Sequence, residues 1–328
     1  MKIFYAVQAT GNGHISRSME LLPYLQQYGE VDIFLSGHNS HLKLDAPIAY
    51  RSKGLSLYYT CNGSLDYWKI AKAINPVALR KQVKELPVEK YDLVINDYEY
   101  ITAKACAARH IPSVNFGHQA SFQSMKVPRP QQKSITGEWL LKSYAKADRY
   151  IGLHFEKYDD FIVTPVIKKD ILEAEPTDAG HITVYLPSYC EPQLIEIFSP
   201  FKDFRFEIFS GQSTAAHEVG NIRFLPVDKK RFNESMISCH AIITGGGFET
   251  PSEAIHLGKK IMAIPIRGQY EQCCNAAALN GMGIMTVEKI DTGFEPLFQD
   301  WIHNWQPVKI DYSRSIPQCM ERLFGNEV

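Results

Sequence analysis

Thr244-Gly245-Gly246-Gly247-Phe248-Glu249-Thr250-Pro251-Ser252-Glu253 follows the apolar run Ala241-Ile242-Ile243. A second apolar run, Lys260 to Pro265, comes next and leads to Gln269-Tyr270-Glu271-Gln272-Cys273-Cys274-Asn275. The order reads as strand, glycine turn, helix, strand, with polar groups at the strand ends. In a parallel α/β sheet that edge is where ligands bind. Consecutive glycines let a bulky group approach the backbone, and the helix N-terminus behind them favours an anion such as a phosphate. The stretch suits a nucleoside diphosphate. Local chemistry also accounts for part of it, because Thr250 and Glu253 have capping-box spacing and Pro251 falls at the favoured first helical position.

Outward from this point the same alternation continues. Strands are expected at Ile3 to Val7, Val31 to Leu35, Leu93 to Asn96, Ser113 to Phe116 and Tyr150 to Leu153. A second series covers Ile182 to Leu186, Phe206 to Phe209, Ile222 to Leu225, Ala241 to Thr244 and Ile261 to Ile264. Helical segments such as Ser18 to Tyr28, Ala103 to Arg109, Gln193 to Phe198 and Glu253 to Leu257 lie between them. Such alternation predicts parallel sheets covered by helices on both faces, in two Rossmann-like halves. The seam falls between Phe155 and Gly180, where Pro165 and Pro176 interrupt the apolar pattern. A length of 328 residues agrees with two domains.

Composition excludes several classes. A net charge of −1 offers no reason for a nucleic-acid partner. No segment has the roughly 20 uncharged apolar residues of a membrane span. Met1 to Val7 reads as a first strand rather than a leader. Seven scattered cysteines lack metal-ligand spacing and read as reduced cytoplasmic thiols.

After the first strand comes Gly11-Asn12-Gly13-His14-Ile15-Ser16-Arg17. The third glycine of a dinucleotide fingerprint is missing, and Leu35-Ser36-Gly37 holds no ribose-binding acid, so a nicotinamide cofactor is disfavoured. Gly11 and Gly13 are expected to shape a turn that projects His14 into a cleft as a general base. A solvated loop histidine is the plainer reading. Asp97, after Leu93-Val94-Ile95-Asn96, stands at another strand end, where a carboxylate could orient His14. It could equally start the next helix, and Glu99 competes for either role.

Together these segments resemble the GT-B nucleotide-sugar glycosyltransferases, including the UDP-glycosyltransferases and the transferase that makes the lipid-linked peptidoglycan precursor. The resemblance implies two Rossmann-like domains facing across a cleft. Residues 1–160 would bind the acceptor, joined by a C-terminal helix in 312–328, and residues 161–311 the donor. It implies a catalytic His14 with Asp97 as its partner. Gly246, Gly247, Thr250, Glu253, Glu271, Gln272 and Asn275 would bind the donor, Glu253 at the ribose and Thr250 at a phosphate. The family motif has histidine and asparagine where this chain has Gly245 and Glu249, and Glu249 would repel phosphate if it pointed inward. The Gly-x-Gly-His-x-x-Arg pattern is similar to that of a UDP-sugar hydrolase of the same fold.

The leading expectation is an inverting hexosyl- or N-acetylhexosaminyltransferase that moves a sugar from a nucleoside diphosphate, UDP foremost, to a hydroxyl acceptor. The chain has no Asp-x-Asp motif, so neither metal nor other cofactor is expected. A same-fold hydrolase or epimerase and a non-catalytic nucleotide-sugar-binding protein remain open. Lys126 to Lys146, with Trp139, Leu140, Leu141 and Tyr144 among lysines, is either a solvated helix or a contact for anionic lipid or a polysaccharide acceptor. A cytoplasmic place, peripheral to a membrane if that contact is used, follows. Acceptor choice is expected in the loops Gly54 to Asp66 and His118 to Gln132. As a ribose ligand, Glu253 is expected to accept Glu253→Gln with weakened UDP binding and almost unchanged stability.

Overall fold

The computed structural model describes residues 1–9, 12–37, 44, 46–54 and 75–325. Gly11 and most of the Gly54 to Asp66 loop lie outside the described residues. In the first half, β1 (Lys2–Gln8), α1 (Asn12–Leu25), β2 (Glu30–Ser36), β3 (Ile48–Ser52), α2 (Pro76–Glu85) and β4 (Leu93–Asp97) come first. They are followed by α3 (Tyr100–Arg109), β5 (Val114–Gly117), α4 (Ile135–Ser143), β6 (Arg149–Leu153) and β7 (Ile162–Val163). The short helix α5 (Lys169–Leu172) leads to β8 (His181–Tyr185), α6 (Glu191–Phe198), β9 (Arg205–Ser210), β10 (His217–Val219) and β11 (Ile222–Pro226). Then come α7 (Lys229–Ser238), β12 (Ala241–Gly245), α8 (Glu249–Leu257), β13 (Lys260–Ile264) and α9 (Tyr270–Gly281). The chain ends with β14 (Met285–Thr286), α10 (Phe294–Asn304) and α11 (Ser315–Phe324).

The strands make two seven-stranded sheets, ordered β3-β2-β1-β4-β5-β6-β7 and β10-β11-β9-β8-β12-β13-β14. The first is parallel throughout. In the second, the edge pair β10–β11 is antiparallel. Each strand expected from the apolar runs is present. The unexpected ones, β3, β7, β10 and β14, lie at or next to sheet edges, where short or half-exposed strands carry little apolar signal. In β1, Ile3 to Val7 are fully buried on both faces, as a strand between two helical layers requires.

Both sheets reverse their winding at one place. In the first, β1 lies between β2 and β4, with Val7 opposite Asp97. In the second, β8 lies between β9 and β12. At such a reversal the following connections diverge to opposite faces and leave a crevice at the strands' carboxyl ends. The start of α1, the end of β4 and the glycine turn after β12 all lie at these crevices.

The last strand of the first sheet, β7, lies just past residue 160, and the second sheet begins at His181. Val166, Ile167 and Ile171 of the connection are buried in a core cluster that includes residues of both halves. Helix α11 carries Ile316, Cys319, Met320, Leu323 and Phe324 on one buried stripe. It returns to the first half, where the rings of Phe324 and Tyr28 stack 3.8 Å apart and Arg149 Nη2 donates to the Leu323 carbonyl at 3.1 Å. Each large apolar side chain buried there contributes about 1.5–3 kcal/mol.

Candidate functional site

Helix α1 begins at Asn12, so Gly13 and His14 stand in its first turn rather than in a projecting loop. His14 Nδ1 lies 2.9 Å from Asp97 Oδ1. Asp97 is fully buried, whereas the His14 side chain keeps 13% of its exposure. Parallel pairing of β1 with β4 closes the distance between residues 83 positions apart. Arg17, three residues after His14, shares its helix face. Its Nη2 donates to both Asp97 oxygens at 2.9 Å and its Nε to Oδ2 at 3.2 Å. Nη2 also lies 3.1 Å from His14 Nδ1. Burial pushes the Asp97 carboxyl up, but Arg17 and His14 outweigh it and hold it below the usual carboxylate range.

The local backbone explains why Asp97 is free for this work. The Asn96 side chain accepts from Glu99 N at 2.6 Å and donates to Glu99 O at 2.9 Å, closing a turn around Tyr98. Tyr98 sits at φ 56°, a left-handed conformation uncommon for residues other than glycine. Glu99 is the N-cap of α3, accepting from Ile101 N and Thr102 N. The helix-starting role that Asp97 and Glu99 could each have filled therefore belongs to Glu99. Gly117, at the end of β5, is also needed, since a Cβ there would lie 2.6 Å from Asp97 Oδ1.

The second half contributes one residue to this cluster. Glu249, the first residue of α8, accepts a hydrogen bond from Arg17 Nη1. A Cβ on Gly13 would lie 2.9 Å from Glu249 Cγ, so glycine at 13 serves the approach of Glu249. Burial raises the Glu249 carboxyl to about 7, against the pull of Arg17.

The capping-box alternative for Thr250 and Glu253 is not what starts the helix. Phe248 is the N-cap of α8 and makes no side-chain cap bond. Thr250 lies inside the first turn. Glu253 is buried, its Oε2 accepting from Lys168 Nζ at 3.0 Å, and Lys168 also donates to Asn233 Oδ1 at 3.2 Å. Burial pushes the Glu253 carboxyl up while Lys168 opposes the shift. Glu253→Gln would leave a buried ammonium without its counter-charge. The expectation that this substitution leaves stability almost unchanged is therefore corrected.

Gly246 is required by the chain itself, because a Cβ there would lie 2.9 Å from the Gln272 carbonyl oxygen and 3.0 Å from Pro265 Cβ. At Gly247 a Cβ would meet open space. Gln272 Oε1 accepts from Ile266 N at 2.8 Å, and Asn275 Nδ2 donates to the Gly246 carbonyl at 3.0 Å. Gly246, Gln272 and Asn275 thus come together around the turn, and Glu253 does not join them.

Asn275 and Glu271 cross to the first half. Asn275 Oδ1 lies 2.8 Å from His118 Nε2, and Glu271 receives Gln119 Nε2 at 3.1 Å on both oxygens. His118 Nδ1 lies 2.9 Å from the Leu153 carbonyl, and its ring stacks on Phe248 at 3.9 Å. Burial lowers the His118 pKa, with Glu271 opposing it. His118 and Gln119 were read only as the start of an acceptor loop. They follow the carboxyl end of β5, and the rule that found His14 and Asp97 could have singled them out. Lys168, in the connection between the sheets, carried no signal.

A cavity of about 120 Å³ opens at the ends of β8, β9 and β11, with Tyr185, Pro187, Ser210, Gly211, Gln212 and Val227 among its walls. Among the described residues, no group of three or more His, Cys, Asp and Glu side chains is arranged to hold a metal ion. No described helix is long and apolar enough to cross a membrane.

Two Rossmann-like sheets whose crevices meet in this way make the GT-B fold. The chain belongs to glycosyl transferase family 1, whose family model matches residues 1–296. It is 23% identical over 325 residues to an uncharacterized glycosyltransferase of Methanosarcina acetivorans, covering 86% of this chain and 84% of that one. UGT89C1 of Arabidopsis thaliana, solved in complex with UDP, matches with a TM-score of 0.62 and 11% identity over 98% of this chain and 94% of its own. MurG of Acinetobacter baumannii matches with a TM-score of 0.53 and 15% identity over 99% of both chains. The likeness to these two structures is one of fold.

Proposed function

We propose that this glycosyltransferase moves a sugar from a nucleoside-diphosphate donor of the UDP type to a hydroxyl acceptor, with inversion and without a metal ion. The His14–Asp97 pair carries the reading. With its Nδ1–H kept on the ring and hydrogen-bonded to Asp97, the lone pair on Nε2 takes the acceptor's proton as its oxygen attacks the anomeric carbon. Asp97 stabilises the imidazolium that forms. The departing diphosphate would meet the N–H groups of Gly246, Gly247 and the start of α8, together with the Thr250 hydroxyl. The Phe248 side chain makes no cap bond at the start of α8, and the helix dipole favours the anion. The cavity at the ends of β8, β9 and β11 would take the base. Glu271, Gln272 and Asn275 are assigned to the donor sugar, and Glu253 to the ribose once Lys168 releases it. A donor reaches these groups when the Gln119–Glu271 and His118–Asn275 contacts part.

Purified protein supplied with UDP-sugars and a hydroxyl-acceptor panel tests this by UDP release and product stereochemistry. Full transfer by His14→Ala overturns the base. Rapid turnover without acceptor favours a hydrolase, and retained configuration removes direct displacement.

Met125, Ile135, Trp139 and Leu140 are exposed apolar side chains of one segment, whose surface face also carries the exposed Lys126 and Lys133. We assign this face to the surface of an anionic membrane on its cytoplasmic side, where apolar insertion and lysine attraction act together. Sedimentation with phosphatidylglycerol vesicles checks it. Trp139→Ser should weaken binding several-fold, and equal binding by both proteins removes the assignment.

A further inference from the structure

The glycine turn assigned to the diphosphate holds an acid, Glu249, that the proposed reaction leaves without a task. Glu249 is the first residue of α8 and follows Gly246-Gly247-Phe248 directly. Its Oε1 accepts from Arg17 Nη1. The space it fills exists because residue 13 is glycine, a Cβ there falling 2.9 Å from Glu249 Cγ. We propose that Glu249 works as a carboxylic acid, donating a hydrogen bond from Oε2 to the donor's diphosphate, so that nucleotide and proton bind together. The inference rests on the reading of the glycine turn as the diphosphate site.

One guanidinium stands between two carboxyl groups. Arg17 meets Asp97 from Nη2 at both oxygens and from Nε at Oδ2, but meets Glu249 from Nη1 alone. A single positive charge compensates a single carboxylate, and when two carboxyl groups share a buried site one of them keeps its proton. The unequal contacts decide which. Asp97 is fully buried, takes His14 as well as Arg17, and lies below the usual carboxylate range. Glu249 is pushed by burial to about 7. The charged and titratable groups around it are His14 and Arg17 on α1, Asp97 on β4, Tyr5 on β1 and Glu253 on its own helix. Arg17 and His14 favour its carboxylate, Glu253 and Asp97 its acid form. A diphosphate beside it adds negative charge and shifts the balance further toward the acid.

The two forms of the side chain act oppositely on a phosphate. A carboxylate only accepts hydrogen bonds and would repel a phosphate oxygen. A carboxylic acid has one O–H to donate while its other oxygen still accepts. Oε1 thus keeps the Arg17 contact as Oε2 donates, and a hydrogen bond to a charged phosphate oxygen is among the stronger ones. The donated bond adds to the N–H groups of the helix start, where Phe248 makes no side-chain cap bond. Arg17 keeps its contacts with Asp97 throughout, so the carboxylate partner of His14 is undisturbed. An acid then stands in a diphosphate-type turn as a donor, because the fold gives it no full counter-charge.

UDP is the probe, titrated calorimetrically into wild type, Glu249→Gln and Glu249→Met at about pH 6 and about pH 8, on either side of the Glu249 value. Glutamine accepts from Arg17 through Oε1 and donates through Nε2 at every pH. A carboxyl at about 7 is mostly protonated at the lower pH and about one-tenth protonated at the higher. Glu249→Gln should therefore match wild type at the lower pH and bind UDP about ten-fold tighter at the higher. The ionisation of UDP itself is common to all three proteins and cancels in their ratios. Methionine removes the charge but offers no donor, so Glu249→Met should bind several-fold more weakly than Glu249→Gln at both pH values. The same ratio of wild type to Glu249→Gln at both pH values overturns the proposal. So does Glu249→Met binding as tightly as Glu249→Gln. No UDP binding by any of the three overturns the reading of the turn, and this inference with it.

Discussion

The crevices of the two halves are built by the same topology yet completed in opposite ways. At the end of β1 and β4, His14 and Asp97 meet within one sheet, and Arg17 from the same helix face completes the pair. At the end of β12, two side chains assigned to the donor, Glu271 and Asn275, reach outside their own half. Glu271 is held by Gln119, Asn275 by His118, and Glu253 by Lys168 from the connection. A pair made by adjacent strands exists whenever that sheet is folded. A set completed across a cleft depends on how the halves sit. The proposed base thus has its carboxylate partner within one half, whereas the proposed donor ligands Glu271 and Asn275 have partners in the other.

Removing the base should break the comparison most sharply. His14→Ala is expected to lower transfer by about 10²–10⁴-fold. Its melting temperature should change little, because the ring is partly exposed and Arg17 continues to hold Asp97. Steady-state rates and a melting curve on the same preparation check both halves of the statement.

Asp97→Ala acts on stability as well. It strands a buried guanidinium, and breaking a buried pair by removing one partner costs about 3–5 kcal/mol. Urea unfolding measures this loss. The folded Asp97 carboxyl lies below its ordinary value, so its contribution is present above the unfolded pKa and is lost as pH falls through the folded one. The gap between wild type and variant should therefore narrow in acid.

Glu253→Gln sharpens the contrast between the crevices. Leaving Lys168 without a carboxylate should cost about 1–3 kcal/mol. UDP affinity, followed by calorimetric titration, should also fall several-fold if the carboxylate is released to the ribose. A stability loss with unchanged UDP affinity would leave Glu253 as an ion-pair partner alone.

The smallest effect concerns Glu249. Its folded value of about 7 exceeds that of an exposed glutamate, so the folded state binds the extra proton. The associated stability is full below the unfolded pKa and is lost as pH rises through the folded one. Glu249→Gln removes this dependence. Its melting temperature relative to wild type should rise by a few degrees between about pH 5 and pH 8. A constant difference would show that Glu249 does not titrate in that window.

Much of the architecture was legible because burial writes itself into composition. Strands covered on both faces must be continuously apolar, so β1, β4, β8, β12 and β13 stood out, while half-exposed β3 and the two-residue strands β7 and β14 did not. His14 and Asp97 were readable for a related reason, since each follows an apolar run at a strand end. The capping-box spacing of Thr250 and Glu253 is a local possibility that the folded chain does not use. Phe248 supplied the helix start without a side-chain bond, and Glu253 found Lys168 instead.

The linear chain by itself determined two α/β halves, the glycine turn before a helix, and the strand ends that bear His14 and Asp97. Those follow from periodicity and backbone freedom, which act over a few residues. Tertiary structure alone decided the partners: Arg17 between Asp97 and Glu249, His118 against Asn275, and Lys168 against Glu253. Each contact across the halves depends on how two sheets dock, and no local rule carries that information. A buried charge must be matched wherever the fold brings an opposite charge or a hydrogen-bond partner, and that meeting is a property of the packed molecule.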